Sequence, residues 1–142
     1  MTATDANSGT ALAVDPGAVS VTVQSPASLT ADLTGSAAPA PGGTVTLTLT
    51  LTNLGGAAAH VTGVTPTVAA PNDAGVTCPA QPDEPLPPSL TGSVSLHWTC
   101  TSSASAGVGS SSTLGATVEA ADANTSAALS APVTGWLVTV GP

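Results

Sequence analysis

Lysine and arginine are absent from all 142 residues, and so are phenylalanine and tyrosine. A chain with no cationic side chain has no phosphate clamp, which argues against nucleic acid and against anionic membrane surfaces as partners. It also offers trypsin no cleavage site. With two aromatic residues in total, Trp98 and Trp136, large aromatic area is scarce. Each indole can bury roughly 150–250 Å², so both are expected as core anchors. No apolar run is long enough to span a bilayer, and no basic amino-terminal region precedes an apolar stretch. As written, the sequence shows neither a transmembrane helix nor a signal peptide, and no membrane insertion is expected. Export would rest on a targeting segment that is removed or carried by a longer precursor.

What is present is a chain rich in Ala, Val, Leu, Thr and Gly, 42% hydrophobic and only 6% charged, with a formal charge of −8 from eight scattered acids. That apolar content and low charge density argue against disorder. The length suits one domain with an appendage and is enough to bury a core.

Hydrophobic alternation is strongest in Thr44-Val45-Thr46-Leu47-Thr48-Leu49-Thr50-Leu51-Thr52. Period two over nine residues predicts a half-buried strand, with Val45, Leu47, Leu49 and Leu51 inward and the threonines outward. Pro41-Gly42-Gly43 and Asn53-Leu54-Gly55-Gly56 punctuate its ends. Shorter runs follow the same rule: Val19, Val21 and Val23; Leu29, Ala31 and Leu33; Val94, Leu96, Trp98 and Cys100; Leu114, Ala116, Val118 and Ala120; Trp136, Val138 and Val140. Weaker strands are expected around residues 60–67 and 76–78, and the proline-rich span 79–88 reads as loop. Seven to nine short strands with no long helix predict an all-β fold, an immunoglobulin-like sandwich of two antiparallel sheets.

Cys78 and Cys100 are the only cysteines, 22 apart, and both fall on expected inward faces. In a chain of extracellular composition they read as one disulfide, with two buried free thiols as the alternative. Metal ligation would require His60 or His97 to join them, and His97 faces away from Cys100. Neither histidine makes a persuasive base, no nucleophile-elbow pattern accompanies the serines, and Asp83-Glu84 in a proline-flanked loop reads as solvation. No catalytic residue is therefore expected, the chain is not read as an enzyme, and no cofactor is implied. Asp5-Ala6-Asn7-Ser8-Gly9 and Asp122-Ala123-Asn124-Thr125-Ser126 read as turns in which Asp and Asn cap their own backbone. Asp5, Asn7, Asp122 and Asn124 are weak calcium candidates only, since Ca²⁺ wants six to eight oxygens and each turn offers two good side chains. Asn124-Thr125-Ser126 also matches a glycosylation sequon.

An internal echo organises the chain. Displacing it by 117 residues aligns residues 3–23 with residues 120–140 without a gap. Identities fall at Ala3/Ala120, Asp5/Asp122, Ala6/Ala123, Asn7/Asn124, Ala11/Ala128, Leu12/Leu129, Val21/Val138, Thr22/Thr139 and Val23/Val140, nine in 21 positions. The physical reading is a tandem array of units recurring about every 117 residues. Residues 26–142 would hold one sandwich, and residues 1–25 a β-hairpin resembling the end of a preceding repeat, or an interaction arm. A lone hairpin is marginal in water. It is either a remnant of its neighbour, docked on its own sandwich, or exchanged between subunits through Val19, Val21 and Val23, giving self-association.

Pro41 to Gly55 with its Thr/Leu alternation, Leu96-His97-Trp98-Thr99-Cys100-Thr101 and the stretch Gly115 to Asn124 resemble the repeated immunoglobulin-like domains of bacterial surface and secreted proteins, the adhesion-type and conserved-repeat modules. The resemblance spans most of residues 26–130 and concerns architecture, not a ligand. Many such units carry Tyr where this chain has Cys100. The resemblance implies an extracellular or cell-surface location and a spacer, stalk or fibre-forming role. Adhesion to carbohydrate or to a protein partner is the alternative, and it would need an exposed aromatic.

Overall fold

The computed structural model describes residues 2–4, 6–8, 11–13, 17, 22–36 and 39–142, with burial assigned for all of these except 2–4 and 11–13. Among these residues nine strands run in chain order as β1 (Thr2–Thr4), β2 (Ala11–Ala13), β3 (Leu29–Gly35), β4 (Thr44–Asn53), β5 (Ala59–Asn72), β6 (Ser93–Thr101), β7 (Ser111–Asp122), β8 (Ala128–Leu129) and β9 (Trp136–Thr139). No helix occurs among the described residues. Seven strands make two antiparallel sheets in an open sandwich-like arrangement. One sheet has the order β3-β4-β6, and in the other β7 pairs with β5 on one side and with β8 and β9 on the other. Among the described residues, β1 and β2 pair only with each other.

The best-patterned segment becomes the best-buried strand. Val45, Leu47, Leu49 and Leu51 are all fully buried, and β4 is central in its sheet. Its inward residues stand beside inward residues on both neighbours: Leu47 opposite Trp98, Leu49 opposite Leu96 and Leu33, Val45 opposite Cys100. Same-face pairs of this kind are what hold a sheet in register, because a one-residue slip would turn every leucine to water. On the outer face Thr50 meets Ser95 and Thr52 meets Ser93 through hydroxyl–hydroxyl hydrogen bonds.

Trp98 is fully buried, and its indole Nε1 has no hydrogen-bond partner within the described structure. Trp136 departs from the expectation of a buried anchor. It is half-buried, because β9 is a short strand at the open edge of its sheet, and its ring lies over Gly35 of the facing sheet. A Cβ at residue 35 would overlap that ring, so glycine is required there by close approach.

The second sheet is less regular. β5 is much longer than the segment 60–67 predicted, at 14 residues. Its alternation is interrupted by Gly63 and Pro66 and by register shifts at Val61/Gly63 and Ala69/Asn72, which blur the sequence signal. Pro66 is tolerated because β5 is an edge strand, with β7 as its only strand neighbour. Residues 76–78 are not a strand. They contribute only the single bridge of Thr77 with Thr101. Residues 22–28 likewise have no strand structure, and Val23 is 87% exposed, against the reading of a strand with Val19, Val21 and Val23 on one buried face. Val19 and Val21 lie outside the described residues.

Candidate functional site

The strands define two poles. β4 runs towards Asn53, which pairs with Leu29 at the start of β3, and a short turn leads on to Ala59 at the start of β5. Ala59 pairs with Asp122, the last residue of β7. The chain enters its sandwich at this amino pole. At the other end of β7, Ser111 pairs with Thr139 of β9, and Gly141 follows. The chain leaves at this carboxyl pole. A ten- to twelve-residue strand at about 3.4 Å per residue separates the poles by roughly 35–40 Å.

At the amino pole, polar side chains fix residues 24–28. Asp122, 2% exposed, accepts from the Ala27 amide through Oδ2 at 2.6 Å, and through Oδ1 from the amides of Asn124 and Thr125 at 2.9 and 2.8 Å and the Thr125 hydroxyl at 3.1 Å. These donors, the Ala27 amide foremost and the Thr125 amide next, hold the Asp122 carboxyl below its ordinary range against the opposing effect of burial. Asn53, 6% exposed, accepts from the amides of Ser28 and Gly55 and donates to the carbonyls of Ala57 and Leu90. Its full complement of four bonds is satisfied, as burial of an amide requires. Ser25 adds a carbonyl for Ala57 N–H and a hydroxyl for Gly56 N–H, and Ser28 O accepts from Leu54 N–H. Gly55 is obligatory, since a Cβ there would run into Pro26 and Ala27.

Backbone bonds close the carboxyl pole. Gly141 N–H donates to Pro39 O, Val140 N–H to Ser110 O and Gly109 N–H to Val140 O, each at 2.8 Å. Val138 and Val140 are each 1% exposed beneath them.

Besides the Thr77–Thr101 bridge, the long connection between β5 and β6 is pinned three times. Cys78 and Cys100 form a disulfide, and Leu90 exchanges backbone hydrogen bonds with Ala59. Asp83 and Glu84, read as solvation from the sequence, form the third clamp. The Asp83 amide donates to His97 O, Thr99 Oγ1 donates to Asp83 Oδ2, and Glu84 accepts from the His97 amide at 2.8 Å while pairing with His97 Nδ1 at 2.5 Å. The His97 amide, and then its ring, lower the Glu84 pKa. The Glu84 carboxylate and the Asp83 amide here satisfy the N–H and C=O of His97 on the outer edge of β6. Asp83-Glu84, set directly between Pro82 and Pro85, gives no sign of which strand it will meet, so sequence reasoning misses this role.

Of the calcium candidates, Asp122 has both oxygens engaged by protein donors, and Asn124 is exposed with its amide donating to Gln24. Asn7 lies in an exposed turn, and Asp5 is outside the described residues. Among the described residues no three His, Cys, Asp or Glu side chains converge in a metal-binding group. No pocket is found among the described residues, and no described helix is long and apolar enough to cross a membrane.

Comparison with protein-family models, with curated proteins and with solved structures gives no match.

Proposed function

We propose that the chain is a non-catalytic extracellular structural repeat, an immunoglobulin-like unit that acts as a spacer or stalk in a head-to-tail arrangement. The observation that carries this reading is the placement of the two poles. The chain enters at Gln24–Ser28 and leaves at Gly141, at opposite ends of the strands. A unit threaded in this way adds its whole strand length to an array. Both ends are tied down, one by side chains and the other by backbone bonds. The strand sets β3-β4-β6 and β5-β7-β9 parallel the A-B-E and C-F-G sets of immunoglobulin sandwiches, though this disulfide joins different positions. A disulfide fits an oxidising compartment and hence the cell surface or exterior.

Single-molecule stretching between the two poles tests the reading. A load-bearing spacer should resist until it gives way in one event. That event should release all of the folded chain except the loop locked between Cys78 and Cys100. Gradual unravelling at forces near thermal noise would contradict it. Adhesion to a saccharide is favoured by one observation only, the partial exposure of Trp136. On that reading its fluorescence should shift when saccharides are titrated.

A further inference from the structure

We infer that residues 3–23 are the closing segment of a second sandwich of this same kind, the unit that would precede this one in an array, and are interchangeable with residues 120–140. This deepens the spacer reading and rests on it for the array, but its own support is separate. The sequence echo has a displacement of 117 residues, and the structure reproduces that displacement in strand pairing. In the first hairpin Ala3 pairs with Leu12 and Thr4 with Ala11. In the second, Ala120 pairs with Leu129 and Ala121 with Ala128. Adding 117 to these two pairs gives both pairs of the second, while the third pair of the first, Thr2 with Ala13, has no paired counterpart. Between the strands, residues 6–8 and 123–125 form the same kind of exposed turn. Ser126 in that turn region adopts φ 59°, a conformation that favours glycine, and its counterpart in the sequence is Gly9.

The burial code is carried over as well. Four residues of 120–140 are buried: Asp122, Ala131, Val138 and Val140. Their counterparts are Asp5, Val14, Val21 and Val23, an acid at the capping position and apolar residues at the other three. Leu137, 60% exposed, corresponds to Ser20. Alanine falls at exposed and buried counterparts alike, but no valine or leucine of residues 3–23 corresponds to an exposed residue of 120–140, which a bias towards Ala and Thr does not explain. Val23 then has an explanation. Its counterpart Val140 is 1% exposed under a closed pole, whereas Val23 is 87% exposed, because the sandwich it would close is a different one.

The occupant is a preceding unit and not a second copy of this chain. In this chain the place for such a segment is filled. Residues 120–122 are the continuous end of the 12-residue β7, Asp122 is bonded to Ala27, and β9 covers the other end of β7. A donor from another copy would have to peel off the last turn of an intact strand.

Two transplants and one extension test the inference. In the first, the full chain has residues 120–140 replaced by the sequence of residues 3–23. In the second, Val133 and Trp136 are retained within the same replacement. Cooperative melting with no titratable thiol in either transplant supports interchangeability, and loss of both properties in both transplants overturns it. A scrambled 21-residue segment at the same place should not fold, and its folding would equally overturn the inference. In the extension, the sequence of residues 24–118 is joined directly to Thr2. The expected result is a second closed disulfide and at least a hundredfold slower amide exchange at Val23 than in the parent chain. Free thiols in the added segment, or exchange at Val23 unchanged, would overturn the inference. So would a dimer of the parent chain that Val23→Asp dissociates, since the partner would then be a second copy. Failure of the transplants leaves the pole geometry and the stretching test untouched, so the two readings fail separately.

Discussion

The hairpin β1–β2 and the hairpin formed by the end of β7 with β8 share a register and a turn, yet they stand in different settings. The second continues a strand that pairs along its length with β5, and its turn is fixed by the Asp122 carboxylate to the start of the sandwich. Among the described residues the first pairs with no strand of either sheet. The same local code therefore suffices to set pairing and turn, while burial depends on whether the rest of a sandwich stands behind it. Secondary structure is the local part of the account, and stability is the tertiary part.

Substitutions at corresponding positions put the largest expected effect on that contrast. Val140→Asp buries an unpaired carboxylate and should cost about 4 kcal/mol or more, enough to unfold a marginally stable domain. Val23→Asp places the same side chain in water and should change stability by no more than about 0.5 kcal/mol. Denaturant unfolding of the two variants measures the difference. A comparable loss from both would mean that residue 23 is packed in solution.

Cys78→Ser with Cys100→Ser opens a loop of about 23 residues and should cost about 2–5 kcal/mol, since the cross-link restricts the unfolded chain. The effect belongs to the sandwich alone. Thermal melts of the variant should shift, while the cross-strand contacts of β1 with β2, followed by nuclear Overhauser effects, persist unchanged.

The smallest effect separates Asp122 from Asp5, its counterpart in the sequence. Asp122→Ala should lower the melting midpoint by several degrees and Asp5→Ala should leave it in place. The pH dependence has the same origin. The Asp122 and Glu84 carboxyls have lowered pKa values in the folded chain. Their contribution is fully present above the ordinary carboxylate range near 4 and is lost as pH falls through the lowered folded values. Asp122→Asn and Glu84→Gln should each flatten the acid limb of a stability–pH curve between about pH 5 and pH 2. An unaltered limb in the Glu84→Gln variant would show that the clamp on His97 adds nothing to stability.

Legibility in the sequence followed pattern strength. Val45 to Leu51 alternate without a break, and every inward assignment in β4 holds, as it does for Leu96, Trp98 and Cys100 in β6. Leu29 and Leu33 are buried where their spacing places them. β5 was underestimated because bulges and two prolines break its period, and such breaks are visible only once β7 supplies the register. Trp136 was overestimated as a core anchor because hydrophobicity alone does not distinguish an edge position from a central one. Asn53, read as the punctuation of a strand, and Glu84, read as solvation, have structural roles that the sequence hides for a common reason. A polar residue's partners lie on distant segments, here Leu90 and His97, and no local spacing encodes them.

We propose that the hairpin β1–β2 stands outside the sandwich formed by β3 to β9, and amide hydrogen exchange on the intact chain tests this most directly. The account predicts that the paired amides of residues 120–122 exchange only through global unfolding, while those of Thr2–Thr4 and Ala11–Ala13 exchange far faster through local opening. Equal protection in the two hairpins of a monomeric protein would contradict it.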